Sequence, residues 1–263
     1  MRLLCWVLLA LFTLYLLVVN RSYSFANTRP PTYDDAWFLE SSLHFYRELT
    51  SSGLKAFLAA YAGSFGTKAP LIAVLPLPFY LLWGTSQQTA MMVNSLFIVI
   101  TNIYLFLLVR RLFSPEAALA TVVFYQTMPL AYGLSRVFMA DYGLAALVIA
   151  WLYYLVASDG LTRGSANFAM GVLLGLGLLM KILFPAFIAG PLLAVLILRR
   201  RQAAQPVAET FWLWRACARR PLLTIALPGV AMAATWYAFH LDTILRYAWQ
   251  GAYGEIGEQY GAG

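Results

Sequence analysis

The chain alternates long apolar runs with short polar connections. The runs occupy residues 3–19, 69–83, 89–109, 115–134, 142–157, 166–183, 186–198 and 221–240. Several approach the roughly 20 residues an α-helix needs to cross a bilayer. Helices also satisfy every backbone polar group in lipid, so the pattern predicts an all-α polytopic membrane protein. Composition agrees: 62% of residues are hydrophobic and 11% charged, against about a quarter charged in a soluble domain. The first run, behind Arg2, has features of a signal peptide with Ser24-Phe25-Ala26 as a weak cleavage site. It exceeds the usual signal core in length and more spans follow, so it reads as a retained helix.

Charge then sorts the runs. If all eight crossed, Arg110-Arg111 and the basic stretch from Arg199 to Arg220 would lie opposite Arg2, against the positive-inside bias. The run 69–83 is the exception, being short and carrying Pro70, Pro76 and Pro78. Prolines that dense interrupt a helix, so it reads as an interfacial or re-entrant element. Seven crossings remain, near 3–19, 89–109, 115–134, 142–157, 166–183, 186–198 and 221–240. The N-terminus is then cytoplasmic, with ten basic residues against three acids inside and eight of each outside. The whole chain, 1–263, reads as a single membrane domain, and its outer C-terminal tail fits the N-terminal part of a longer protein.

The first outer loop, 20–88, is too long for a simple connection and carries helical patterning of its own. Leu39, Leu43 and Tyr46 form one apolar stripe. Gly53 then ends the run, and Leu54, Phe57, Leu58 and Tyr61 form a second stripe. Both predict helices lying along the outer membrane surface.

Few charges remain to do chemistry. Asp34 and Asp35 open the first loop helix. Asp34 has two compatible readings: a helix cap favoured by the N-terminal dipole, or a general base at the water–membrane boundary. Asp141 lies between two apolar runs on the same side, where an acid needs a partner or water. Arg136 is its nearest cation, though residues five apart face about 140° from each other on a helix, so pairing needs a break. Lys68 opens the interfacial element. Lys181 follows a glycine-rich run holding Gly171, Gly175 and Gly177, whose GxxxG spacing allows close helix approach. These lysines either snorkel to headgroups or, with Arg136, neutralise an anionic phosphate. His44 and His240 are too isolated for a metal site, Cys5 and Cys217 form no disulfide framework, and no phosphate loop or nucleophile motif occurs. No basic run is interleaved with stacking aromatics, which excludes nucleic acid as a partner.

The order of these pieces resembles the GT-C glycosyltransferases that use polyprenyl-phosphate sugars, near the protein O-mannosyltransferases and lipid A aminoarabinose transferases (glycosyltransferase family 39-like). The shared order is an acidic pair in the first outer loop, a lysine opening an interfacial helix, an Arg-x(4)-Asp element and a glycine-rich span ending in lysine. The resemblance implies that Asp34 is the catalytic base and Asp35 its acidic neighbour. It implies that Asp141 is the second catalytic acid, and that Lys68, Arg136 and Lys181 bind phosphate. Ala69 and Tyr142 stand where the family more often has proline, and Asp35 where it more often has Glu. It further implies inverting transfer from a polyprenyl-phosphate sugar to a lipid, glycan or protein acceptor at the outer face of a membrane, taken as the bacterial inner membrane. The resemblance fixes no cofactor and is compatible with a divalent metal. The rival expectation is a non-catalytic transporter or lipid-binding scaffold, which would set its charges near the bilayer midplane.

Overall fold

The computed structural model describes residues 2–31, 33–201 and 212–253. Residues 202–211 of the basic loop and the C-terminal tail from 254 on, including Glu209, Glu255 and Glu258, lie outside the described residues. Everything regular in the described chain is helical: α1 (Arg2–Ala26), α2 (Tyr33–Arg47), α3 (Leu54–Ala62), α4 (Leu71–Val74), α5 (Leu77–Trp83), α6 (Gln87–Ala90), α7 (Met92–Leu112), α8 (Pro115–Thr127), α9 (Pro129–Leu134), α10 (Ala140–Ala157), α11 (Gly164–Met180), α12 (Phe184–Arg201), α13 (Trp212–Arg219) and α14 (Pro221–Tyr253). The all-α polytopic membrane architecture expected from the apolar runs is the one observed.

Among the described residues, four stretches are long and apolar enough to cross a bilayer: Leu3–Ala26, Gln87–Leu112, Ala140–Ala157 and Pro221–Tyr247. Their outward faces are apolar. On α1, Leu3, Leu11, Leu14 and Val18 are exposed, and on α14 Leu227, Val230 and Phe239 are. Exposed apolar area on this scale belongs against lipid. The inward faces meet in a core around Phe97, Tyr142, Trp151, Met180 and Phe184. Gly164–Met180 and Phe184–Leu198 are shorter apolar helices.

Proline punctuates the bundle as its chemistry requires. Run 115–134, continuous in apolar pattern, breaks at Met128, which is extended (ψ 132°) ahead of Pro129. The proline ring disfavours helical backbone in the residue before it. The 69–83 run splits into α4 and α5 without an extended residue, Leu75 before Pro76 staying helical (φ −59°, ψ −30°). Here Pro76 and Pro78 lack the N–H groups that would continue the helix ladder. Ser114 caps α8 by accepting the Ala117 N–H at 3.2 Å, with Pro115 in the first turn, where its missing N–H costs nothing.

α11 and α14 pack through glycine. A Cβ on Gly171 would stand 2.4 Å from Pro228 Cγ and 2.7 Å from the Ile225 carbonyl, and one on Gly175 2.6 Å from Met232 Cβ. The GxxxG pair is thus the α11–α14 crossing. α14 also braces the outer layer: Trp236 Nε1 donates to Ser64 O at 3.2 Å, and His240 Nε2 to Ala62 O at 2.7 Å.

The outer helices pack around Phe45, which is fully buried and within 6.4 Å of the Phe57, Tyr61 and Phe65 rings. The buried stripe of α2 is Phe38, Leu39, Ser42 and Phe45, rotated from the expected Leu39–Leu43–Tyr46 line because α2 is covered by α4 and by the Phe65 turn. α3 sends Phe57 and Tyr61 inward and leaves Leu54 and Leu58 exposed, as a helix lying on a membrane surface would. The first loop helix continues through a π-helical turn, Glu48–Ser52, before Gly53 ends it at φ +83°, a conformation glycine adopts without a Cβ clash.

Gly171→Ala is expected to destabilise the protein by about 1–3 kcal/mol, the usual cost of overpacking, because the Ile225 and Thr224 carbonyls among its close contacts are backbone. Gly133→Ala, with nothing within 4 Å of its new Cβ, should be neutral or slightly stabilising. Thermal unfolding of both variants in detergent checks the contrast.

Candidate active site

A cavity of about 170 Å³ opens between the outer helices and the ends of α10 and α11, and Asp34, Lys68, Asp141 and Lys181 all line it. These residues come from four separate parts of the chain. Asp34 is in the first turn of α2 and Lys68 in the turn before α4. Asp141 is in the first turn of α10, and Lys181 is the extended residue that ends α11. Phe38, Ala69, Met139, Met180, Ile182 and Leu183 supply apolar wall.

Local sequence explains how the charges come together. Gly143, near the start of α10, would place a Cβ 2.6 Å from the Phe97 ring and 2.9 Å from Met180 Cε. Its lack of a side chain lets the end of α11 press against α10, which sets Lys181 beside Asp141. A Cβ on Gly177 would stand 2.3 Å from the Phe184 ring, so that glycine lets the chain fold back directly after Lys181. The Lys181 N–H still donates to Gly177 O at 2.9 Å, which closes the helix end.

The four charges form two ion pairs. Lys68 Nζ donates to Asp34 Oδ1 in a short contact, and Lys181 Nζ donates to Asp141 Oδ1 at 2.7 Å. Their side chains are between 31% and 46% exposed, so water reaches both pairs. Pairs that hydrated contribute only about 0–1 kcal/mol each, which makes them exchangeable rather than structural. Lys68 is also held from the side: its ammonium lies 4.7 Å from the Trp37 ring centroid and 5.7 Å from that of Phe38, a cation–π arrangement.

Arg136 is not Asp141's partner. The break between them exists, at residues 135–139, but Lys181 occupies the carboxylate. Arg136 instead lies flat against Tyr132, 3.4 Å from its centroid, with Tyr23 at 5.2 Å. It donates to Tyr132 O at 2.9 Å and is not among the residues that line the cavity.

Asp35 also lies outside the lining. Its Oδ1 accepts the Phe138 backbone N–H at 2.9 Å, tying α2 to the turn that leads into Asp141. Asn94 of α7 holds the same turn from below, donating to Ser135 O at 3.0 Å and Val137 O at 2.8 Å. Burial pushes the Asp35 carboxyl above its usual range, and the Phe138 hydrogen bond pulls back less strongly.

Sequence reasoning missed Trp37, Phe38, Asn94 and Gly143. Asn94 had a readable signal, being an amide inside an apolar run, where polar groups are costly unless they hold something. Behind the site, Tyr142 donates to Gln126 at 2.9 Å, Gln126 to Asn102 at 2.6 Å, and Asn102 to Thr13 at 2.9 Å. This buried polar chain links α10, α8, α7 and α1. Among the described residues, no cluster of three or more His, Cys, Asp or Glu is placed to hold a metal ion.

A raised carboxyl pKa favours the protonated folded state. Asp35 should therefore weaken the fold as pH climbs from the unfolded value of about 3.8 through the raised folded one. Asp35→Asn keeps an oxygen acceptor for Phe138 and should leave neutral-pH stability unchanged or higher, while flattening that pH dependence. Asp35→Ala leaves the N–H without its partner and should cost about 1–3 kcal/mol. Thermal unfolding between about pH 3 and 7, which starts below the usual carboxyl values, separates the two.

A family model described as dolichyl-phosphate-mannose-protein mannosyltransferase matches residues 67–218, more than half of the chain. No curated protein and no solved structure matches. The match takes in Lys68, Arg136, Asp141 and Lys181 and begins after Asp34 and Asp35.

Proposed function

From the premise that the chain belongs to the dolichyl-phosphate-mannose-protein mannosyltransferase family, and is a glycosyltransferase of mannosyltransferase-like type, we propose that the four-charge cavity is where a sugar leaves a polyprenyl-phosphate donor. The observation that carries this reading is the convergence of Asp34, Lys68, Asp141 and Lys181 from four parts of the chain on one cavity. Enzyme-family membership and charges gathered at the helix ends favour catalysis over the transporter alternative.

The donor's phosphate lies against the Lys68 and Lys181 ammonium groups. An acceptor hydroxyl or amine gives its proton to Asp34 as its oxygen or nitrogen attacks C1 of the sugar. The C1–O bond to phosphate breaks, and its electron pair leaves with the polyprenyl phosphate. One displacement inverts the anomeric centre and needs no covalent intermediate on the protein. Two fixed cations beside the leaving group stabilise the charge that develops there, and they do so most effectively where apolar walls keep the local dielectric low. Phe38, Met139, Met180, Ile182 and Leu183 are such walls. Asp141 orients Lys181, and Asp35 and Asn94 hold the turn that carries Asp141. Arg136, stacked on Tyr132 and Tyr23, stiffens that turn and is assigned no direct phosphate contact.

The acceptor is a lipid, glycan or protein at the membrane surface. The site faces the outer side of a bacterial inner membrane, with the N-terminus cytoplasmic and seven crossings. Charge bias supports that orientation, and the exposed Leu54 and Leu58 of α3 fit a helix lying along a membrane surface. The seven crossings comprise the four long helices, the broken α8–α9 pair, α11 and α12.

Asp34→Asn in the full-length protein is expected to lower sugar transfer by about 10²–10⁴-fold, the range for loss of a general base, with unchanged thermal stability. Transfer within a few fold of wild type in a folded Asp34→Asn protein would remove Asp34 as the base.

A further inference from the structure

Both lysines of the cavity are already occupied, each by one of the two acids that line it. The cavity therefore holds two positive and two negative groups and is close to neutral as it stands. Each ammonium has three N–H donors and gives one to its acid. A phosphate can therefore reach both lysines, but while the two carboxylates stay in place it is repelled by them and shares the cations with them. Conversely, Asp34 Oδ1 accepts from Lys68, and an ammonium against the carboxylate stabilises its charged form and makes it a weaker base.

We propose that the two ion pairs form an exchange lock: the donor's phosphate displaces Asp34 from Lys68 and Asp141 from Lys181, and this exchange frees Asp34 to act as base. The inference rests on the assignment of phosphate and base made above and adds the order of events. Donor binds first, and the site becomes competent toward the acceptor only with a phosphate in place.

Three features of the geometry support exchange rather than collapse. Lys68 does not depend on Asp34 for its position, because the Trp37 and Phe38 rings hold its ammonium from the side. Asp34, once released, remains in the first turn of α2, where the helix dipole and free N–H groups favour an anion. Finally, all four side chains are partly exposed, so water screens each pair and lowers the barrier to changing partners. An acceptor that arrives without donor meets a carboxylate already hydrogen-bonded, which suppresses premature proton transfer.

Exchange requires that removing either acid tighten the phosphate. Farnesyl phosphate, a short polyprenyl monophosphate, is titrated into the purified full-length protein in detergent by calorimetry. Asp34→Asn and Asp141→Asn are each expected to bind it about three- to tenfold more tightly than wild type, since each variant removes one competing charge. Lys68→Met and Lys181→Met should weaken binding by about tenfold or more. Unchanged or weaker binding in both Asn variants, with wild-type thermal unfolding, overturns the exchange. Inorganic phosphate that binds every variant as tightly as farnesyl phosphate overturns the assignment of the anion to a lipid. The two readings fail separately. Lost transfer in Asp34→Asn without tightened binding leaves Asp34 as the base and removes the lock. Tightened binding with retained transfer keeps the exchange and removes Asp34 as the base.

Discussion

The close approach of α11 to α14 is the contact on which the site's geometry depends. Gly171 and Gly175 on one helix and Gly229 on the other leave no room for side chains between them; a Cβ on Gly229 would stand 2.7 Å from Leu174. In lipid, helices gain little from burying apolar surface, so backbone-to-backbone packing carries more of the association. Its consequences reach the cavity by two routes. α11 delivers Lys181 at its outer end, and α14 carries Trp236 and His240 up to the carbonyls of Ser64 and Ala62. That second contact braces the turn from which Lys68 emerges.

Around this frame, polar groups do their positioning in places where an apolar chain has few to spare. Asp35 and Asn94 grip the same short turn from opposite sides, and Tyr142, Gln126, Asn102 and Thr13 form a buried chain directly behind it. Buried polar groups must be hydrogen-bonded, so each such contact also fixes the relative height of two helices. Asp141 is therefore presented by an α10 whose register is set on both sides. The four cavity charges are held more loosely, by hydrated ion pairs.

Particular residues show how far the sequence could be read. Asp34, Lys68, Asp141 and Lys181 stand out because a charge at the edge of an apolar run is rare and each needs an explanation, and all four line one cavity. The choice of partners did not follow. Arg136, five residues before Asp141, was the nearest cation in the chain, yet Lys181 takes the carboxylate from forty residues away. Arg136 finds Tyr132 and Tyr23 instead. The rotation of α2's buried stripe toward Ser42 and Phe45 escaped for a similar reason: periodicity locates a face, and the elements packed on it decide where its centre lies.

The sequence by itself determined that the chain is helical and bilayer-embedded, which few charges had to be accounted for, and that the proline-dense run 69–83 is not one continuous helix. These follow from local chemistry: hydropathy along a run, and the ring that constrains proline and the residue before it. Tertiary structure decided which acid meets which lysine, that Trp37 and Phe38 steady Lys68, and that Gly143 and Gly177 let the end of α11 reach Asp141. Such pairings depend on helix register and on distances between segments far apart in the chain, and no local pattern encodes those.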